Sequence, residues 1–229
     1  MARTSSSPFA YHSLLQWRVA GVFSLDRRPI LQDLAARMMA TAGLEGIVYL
    51  HSRRSGTEPW PGVPSWHLED MSTNRSLKFL EVAAAVTPRT LLILDDVETI
   101  RNYPQSMTRN IINHVAPRTR FKLTGGAALV TAHLHDLYAE FAVLDKRILH
   151  ATHYWAFAED HREVSVFDGR TVLPNKDPGY LAAKLRPFVH LDLQPANELQ
   201  TRLYSALDAA PLQERVHDVD DLRLRGIER

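Results

Sequence analysis

Residues 90–96 read Thr-Leu-Leu-Ile-Leu-Asp-Asp, a continuous apolar run that stops at two acids. An apolar stretch without alternation is how a central parallel strand reads, because both of its faces are covered. The neighbours support that assignment. Val19–Leu25 is apolar and β-branched, and Gly46–Ser52 reads as a second buried strand. Between them Pro29 suits a first helical turn, Ile30, Leu31, Leu34, Ala35, Met38 and Met39 recur at helical spacing, and Gly43 supplies a stop.

Residues 53–67 hold three prolines and two glycines and read as a loop. Ser72–Ala85 is expected to be a helix capped by Ser72, with Leu77, Leu80 and Val82 packing inward. Pro104–Val115 is the next predicted helix, Arg120–Thr124 a strand and Leu134–Leu144 a helix. Alternation of strand and helix argues for an α/β fold, a parallel sheet joined by right-handed crossovers with helices on both faces. Later the pattern changes. Val164–Phe167 and Arg170–Leu173 flank Asp168-Gly169, a hairpin signal. Short helices follow at Pro178–Leu185 and Pro195–Leu207, then a charged tail. The expected organisation is a flexible segment 1–8, a main domain 9–190 and a helical, charged extension 191–229.

Composition narrows the chemistry. The chain has 229 residues, 45% hydrophobic, with a formal net charge of +1 and no cysteine. Disulfides, zinc fingers and thiol catalysis are excluded, and a reducing interior fits. Affinity for nucleic acid has to come from local patches, since whole-chain charge gives it no support. The N-terminus lacks the apolar core of a signal peptide and no stretch reaches membrane-spanning length, so a cytoplasmic protein is expected. His133, His135, His150, His153 and His161 are dense, but no third ligand stands at a telling spacing, and no metal site is expected. His12, Ser13, Asp26 and Asp33 show no nucleophile–base spacing.

Three segments carry the functional reading. Asp95-Asp96 is either a strand end with capping acids or the magnesium-holding and water-activating pair of a nucleotide hydrolase. Thr124-Gly125-Gly126 is either a Gly-rich turn or a close backbone approach at the carboxyl edge of the sheet, where open α/β sheets bind ligands. Residues 135–161 read as a helix and an aromatic-rich loop.

In order and spacing these segments resemble the first, RecA-like (P-loop NTPase-like) lobe of Swi/Snf-like superfamily-2 helicases, especially those of bacteriophages. Asp95-Asp96 stands at that family's Walker B acids, Ile100-Arg101-Asn102 at its "IKN" and Leu123–Ala127 at its "LTGTP". Asp136-Leu137-Tyr138, Phe141, Leu144-Asp145, Ile148-Leu149 and Tyr154–Phe157 follow in register with "DLYSQFxFLDPxILG" and "FYAF". Met71-Ser72-Thr73 with Lys78–Glu81, Leu181–Val189 and Leu191–Leu207 resemble further family segments, so the likeness spans about residues 9–207.

Departures from the pattern are as informative. The family's Gly-x-Gly-Lys loop, whose backbone N–H groups cradle phosphates, is missing between Val19–Asp26 and the following helix. Arg27 and Arg28 stand there instead, either vestigial phosphate contacts or a solvated surface pair. Asp96 replaces the water-activating Glu, Val97 and Glu98 replace the residues after it, and Gly126-Ala127 replaces Thr-Pro. No second lobe, the source of the family's arginine finger, follows in this sequence. The expectation is a catalytically inactive lobe, with no cofactor unless the degenerate site still takes ATP and magnesium. It would bind DNA or a protein of the replication or recombination machinery in a bacterial host cell. Arg53, Arg54, Arg101, Arg109, Arg118, Arg120 and Lys122 are the candidate nucleic-acid contacts, and Trp60 and Trp66 candidate stacking or anchoring groups. Two alternatives stand beside this: half of a split ATP-dependent motor, and an inhibitory mimic of a motor protein.

Overall fold

The computed structural model describes residues 8–54, 56, 58–131, 133–151, 153–161 and 178–210. The predicted hairpin at 164–173 and the charged tail lie outside them. Within them the strands are β1 (Val19–Ser24), β2 (Gly46–His51), β3 (Ser65–His67), β4 (Thr90–Asp95), β5 (Phe121–Gly126) and β6 (Val189–Asp192). They form one sheet in the order β3-β2-β4-β5-β1-β6, every pairing parallel. This is the expected RecA-like α/β sheet. Strands β1 and β4, which carry the site, are separated only by β5.

Parallel pairing buries both faces of the sheet. On one face Ala20, Val22, Tyr49, Leu91, Ile93 and Leu123 pack against helices α1 (Pro8–Trp17) and α2 (Arg27–Thr41). On the other, Phe23, Val48, Leu50, Leu92 and Leu94 share a core with α3 (Leu77–Ala85), α4 (Ser106–Asn110) and α5 (Leu137–Asp145). That core continues into α6 (Tyr154–His161), α7 (Pro178–Leu185) and α8 (Glu198–Ala209). No helix among the described residues is long and apolar enough to cross a membrane.

Several local expectations shift. Helix α3 starts at Leu77 because Ser76, not Ser72, caps it by accepting from the Phe79 N–H. Residues 68–72 form a separate 3-10 turn. With that start, Phe79, Val82 and Ala83 point inward, while Leu77 and Leu80 are exposed. The segment after β4 runs from α4 through a π turn, 111–115, into a 3-10 turn, 116–118. Helix α1 and strands β3 and β6 were not read from sequence. Trp66, placed in a loop by its prolines, lies in β3 beside Leu50.

Candidate functional site

Asp95 closes β4 between β2 and β5, so its carboxylate sits at the carboxyl edge of the sheet almost without solvent, 1% exposed. Asp96 turns the chain in a left-handed conformation (φ 62°, ψ 46°), which Asp tolerates better than most residues. The turn brings both carboxylates together. Only two residues separate the end of β1 from helix α2, whose first residue is Arg27. The Arg27 Nε donates to Asp95 Oδ1 at 2.5 Å and its Nη2 donates to Asp96 Oδ1. Tyr49 Oη donates to Asp95 Oδ2 at 2.8 Å, and the Ser52 N–H donates to Asp96 Oδ2 at 3.2 Å. Each of the four carboxylate oxygens therefore has a donor from the chain itself.

The electrostatics match this closure. Burial works against the Arg27 charge, but Asp95, then Asp96 and Glu98, override it and hold its pKa above the ordinary arginine value. Burial, followed by the Asp95 charge and hydrogen bond, pushes the Tyr49 hydroxyl well up. Arg27 is thus no solvated surface group, which corrects that reading. Its partners lie far along the sequence, where local pattern gives no hint of them. Arg28 is half-buried and holds the Pro-rich loop, donating to the Glu58 carbonyl at 2.7 Å. In the same loop Trp60 is buried and stacks on Tyr49 at 4.6 Å, so it anchors the loop to its own domain.

Strand β5 passes the site as Thr124-Gly125-Gly126. A Cβ on Gly125 would lie 2.7 Å from Leu31 Cδ1 and 3.3 Å from Asp95 Oδ1. A Cβ on Gly126 would meet Glu98 Oε1 at 2.9 Å. The glycines are therefore needed for close packing. Thr124 is fully buried, with its hydroxyl unpartnered. Glu98 accepts from the N–H groups of Ala127 and Ala128 and so fixes the turn after β5.

Arg101 belongs to the same framework. It is 7% exposed, pairs with the fully buried Glu140 at 2.7 Å and donates to the Ala128 carbonyl. Burial pushes the Glu140 carboxyl up, against the opposing pull of Arg101. Arg101 is therefore corrected from a surface contact to a buried structural cation. On the outer side, helix α8 braces the segment after β5. Asn197 Nδ2 donates to the Thr131 carbonyl at 3.1 Å and Gln200 Nε2 to the Val130 carbonyl at 2.7 Å. Tyr204 Oη accepts from the Leu129 N–H at 3.4 Å.

The remaining candidate cations do not converge. Arg53 and Arg54 follow β2 at the carboxyl edge, whereas Arg118 and Arg120 precede β5 at the opposite edge. Arg53 is paired with Asp70, Arg118 donates to the His114 carbonyl, and Arg109 is exposed on α4. Lys122 is half-buried within β5, and burial lowers its pKa to about 8. His133 and His135 stack on each other. Among the described residues no three His, Asp or Glu side chains gather as a metal-holding group.

Beside Arg101 the surface opens into a cleft of about 1020 Å³. Its lining includes Arg54, Glu69, Asn102, Gln105, Ser106 and Asp136. Sequence reading missed this cleft, together with the roles of Tyr49, Glu98 and Glu140. Glu98 had a signal in its place two residues after Asp96, but the partners of all three lie in other elements.

No family model and no curated protein matches the chain. Among solved structures it is similar to the Sulfolobus solfataricus SWI2/SNF2 ATPase core in complex with dsDNA, at 12% identity and a TM-score of 0.39. The match covers 79% of this chain and 35% of that one, so this chain spans about a third of its length. At that distance the architecture assigned above rests on the sheet order and pairing themselves.

Proposed function

We propose that this chain is a non-hydrolysing RecA-like lobe of Swi/Snf-like, phage-type descent. In this reading it acts as a binding module for DNA or for a protein of the replication or recombination machinery, in the cytoplasm of a bacterial host cell. One observation carries the proposal: Arg27 spans Asp95 and Asp96, so the chain's own cation stands where a magnesium ion would have to sit. A phosphate site on such a sheet needs a nest of backbone N–H groups and a bound cation. The two-residue corner between β1 and α2 leaves little backbone for the nest, and Arg27 already meets the charge of the acids. ATP and magnesium are then not cofactors of this protein.

The test is an ATPase assay with magnesium, with and without duplex and single-stranded DNA, paired with calorimetric titration of ATP. The expected result is neither hydrolysis nor binding heat. Turnover near about 1 s⁻¹, at the low end of ordinary enzymes, contradicts the proposal.

A further inference from the structure

The cleft beside Arg101 is outlined by groups whose hydrogen-bonding state separates them into two sets. Its carboxylates are already engaged. Glu69 accepts from the Ser52 hydroxyl at 2.8 Å and the Arg53 N–H at 3.2 Å. Glu98 holds the N–H groups of Ala127 and Ala128, and Asp136 accepts from the Thr131 hydroxyl at 3.2 Å and the His133 N–H at 3.3 Å. The second set is unspent. Among the described residues the exposed side chains of Asn102, Gln105 and Ser106 have no internal partner, and neither does the exposed Arg54 guanidinium. Arg101 also lines the cleft, and its Nη1 is buried without a hydrogen-bond partner. A buried, unpartnered guanidinium N–H leaves a desolvated donor unmet, which is unfavourable until an acceptor arrives.

The charge balance decides what kind of acceptor fits. Two guanidinium groups, Arg54 and Arg101, face three carboxylates, Glu69, Glu98 and Asp136. Arg101 is further offset by Glu140. A phosphodiester backbone draws its affinity from cations, one for each phosphate neutralised, and repeats its charge every few ångström. This lining offers two guanidinium groups, too few for such a run. One isolated carboxylate, by contrast, finds Arg54 and Arg101 Nη1. The carboxamides of Asn102 and Gln105 each offer a donor and an acceptor, which complement the N–H and C=O of an extended main chain. Glu98 fixes residues 127 and 128, and Asn197 and Gln200 fix 131 and 130, so Thr131 in the cleft's lining is held before anything enters.

We infer that this cleft binds an extended peptide segment of a partner protein carrying one carboxylate side chain. The acid lies on Arg54 and Arg101, and the peptide main chain on Asn102 and Gln105. The inference rests on the binding-module reading above and decides it, for this surface, in favour of protein over DNA.

The test uses the full chain. Its binding is measured to short randomised peptides with a single Glu fixed at the centre, to a matched set with Gln there, and to single- and double-stranded DNA. The expected result is capture by the Glu set that weakens about tenfold with Gln, as loss of one charge-assisted contact implies. Arg54→Gln, and Asn102→Ala with Gln105→Ala, should weaken it similarly, while Arg120→Gln on the opposite edge should not. All of these positions are exposed, and an unchanged melting temperature verifies the fold of each variant. Absence of Glu-dependent capture overturns the inference, as does DNA binding that depends on Arg54. Neither outcome touches the ATPase result, so the two proposals fail separately.

Discussion

Among the described residues two arginines are set against buried carboxylates, Arg27 and Arg101, and the two clusters end differently. At Arg27 every oxygen of Asp95 and Asp96 has an internal donor. At Arg101 the pair with Glu140 leaves Arg101 Nη1 and Glu140 Oε2 unpartnered. The first cluster is complete and sits under a tight corner and a pinned loop. The second borders an open cleft. A cluster that satisfies itself has no need of a ligand, whereas one with unmet donors gains from one.

The largest expected effect tests the first cluster. Arg27→Met removes the cation that bridges two buried acids and should destabilise the fold by about 3–5 kcal/mol in urea denaturation, the range for breaking a buried pair from one side. Magnesium should recover part of that loss in the variant and do nothing for the parent protein. A loss below about 1 kcal/mol would erase the contrast between the clusters.

Next in size is the packing that closes the corner. Gly125→Ala places a methyl 2.7 Å from Leu31 Cδ1, so the fully buried Leu31 side chain must repack. The expected loss is about 1–3 kcal/mol, as for overpacking of a core, read from the denaturation midpoint.

The second cluster shows itself through pH. Burial raises the Glu140 pKa in the folded state above its ordinary value of 4.5. Its contribution is full below 4.5 and is lost as pH rises toward the folded value. The parent protein should therefore lose stability relative to Glu140→Gln as pH is raised from acid through neutrality, with a slope of at most about 1.4 kcal/mol per pH unit. A flat difference would mean that Arg101 satisfies Glu140 as fully as Arg27 satisfies its acids.

The smallest effect is a control away from both clusters. Ser76→Ala removes the cap of α3 and should cost about 1 kcal/mol, without pH or magnesium dependence.

These contrasts mark how far the sequence could be read. The run at 90–96, the helical period of residues 30–39 and the strand at 46–51 were legible because each is a local pattern with one burial solution. Helix α1 was missed although Pro8 stands at its start. Its burial depends on contacts with β1 and α2 rather than on a strong stripe of its own. Strands β3 and β6 are short edge strands whose pairing, not composition, defines them. The same holds for the site. Asp95, Asp96 and the two glycines announced themselves by type and place. Arg27 did not, because its meaning comes from acids 68 and 69 residues away. Arg101 looked like a surface cation because Glu140 lies 39 residues further on.

The most direct test of the closed corner is a crystal structure grown with magnesium and a non-hydrolysable ATP analogue at high concentration. The account predicts Arg27 still joined to Asp95 and Asp96, with no nucleotide beside them. A triphosphate seated between Arg27 and Asp95, with the arginine displaced from the acids, would contradict it.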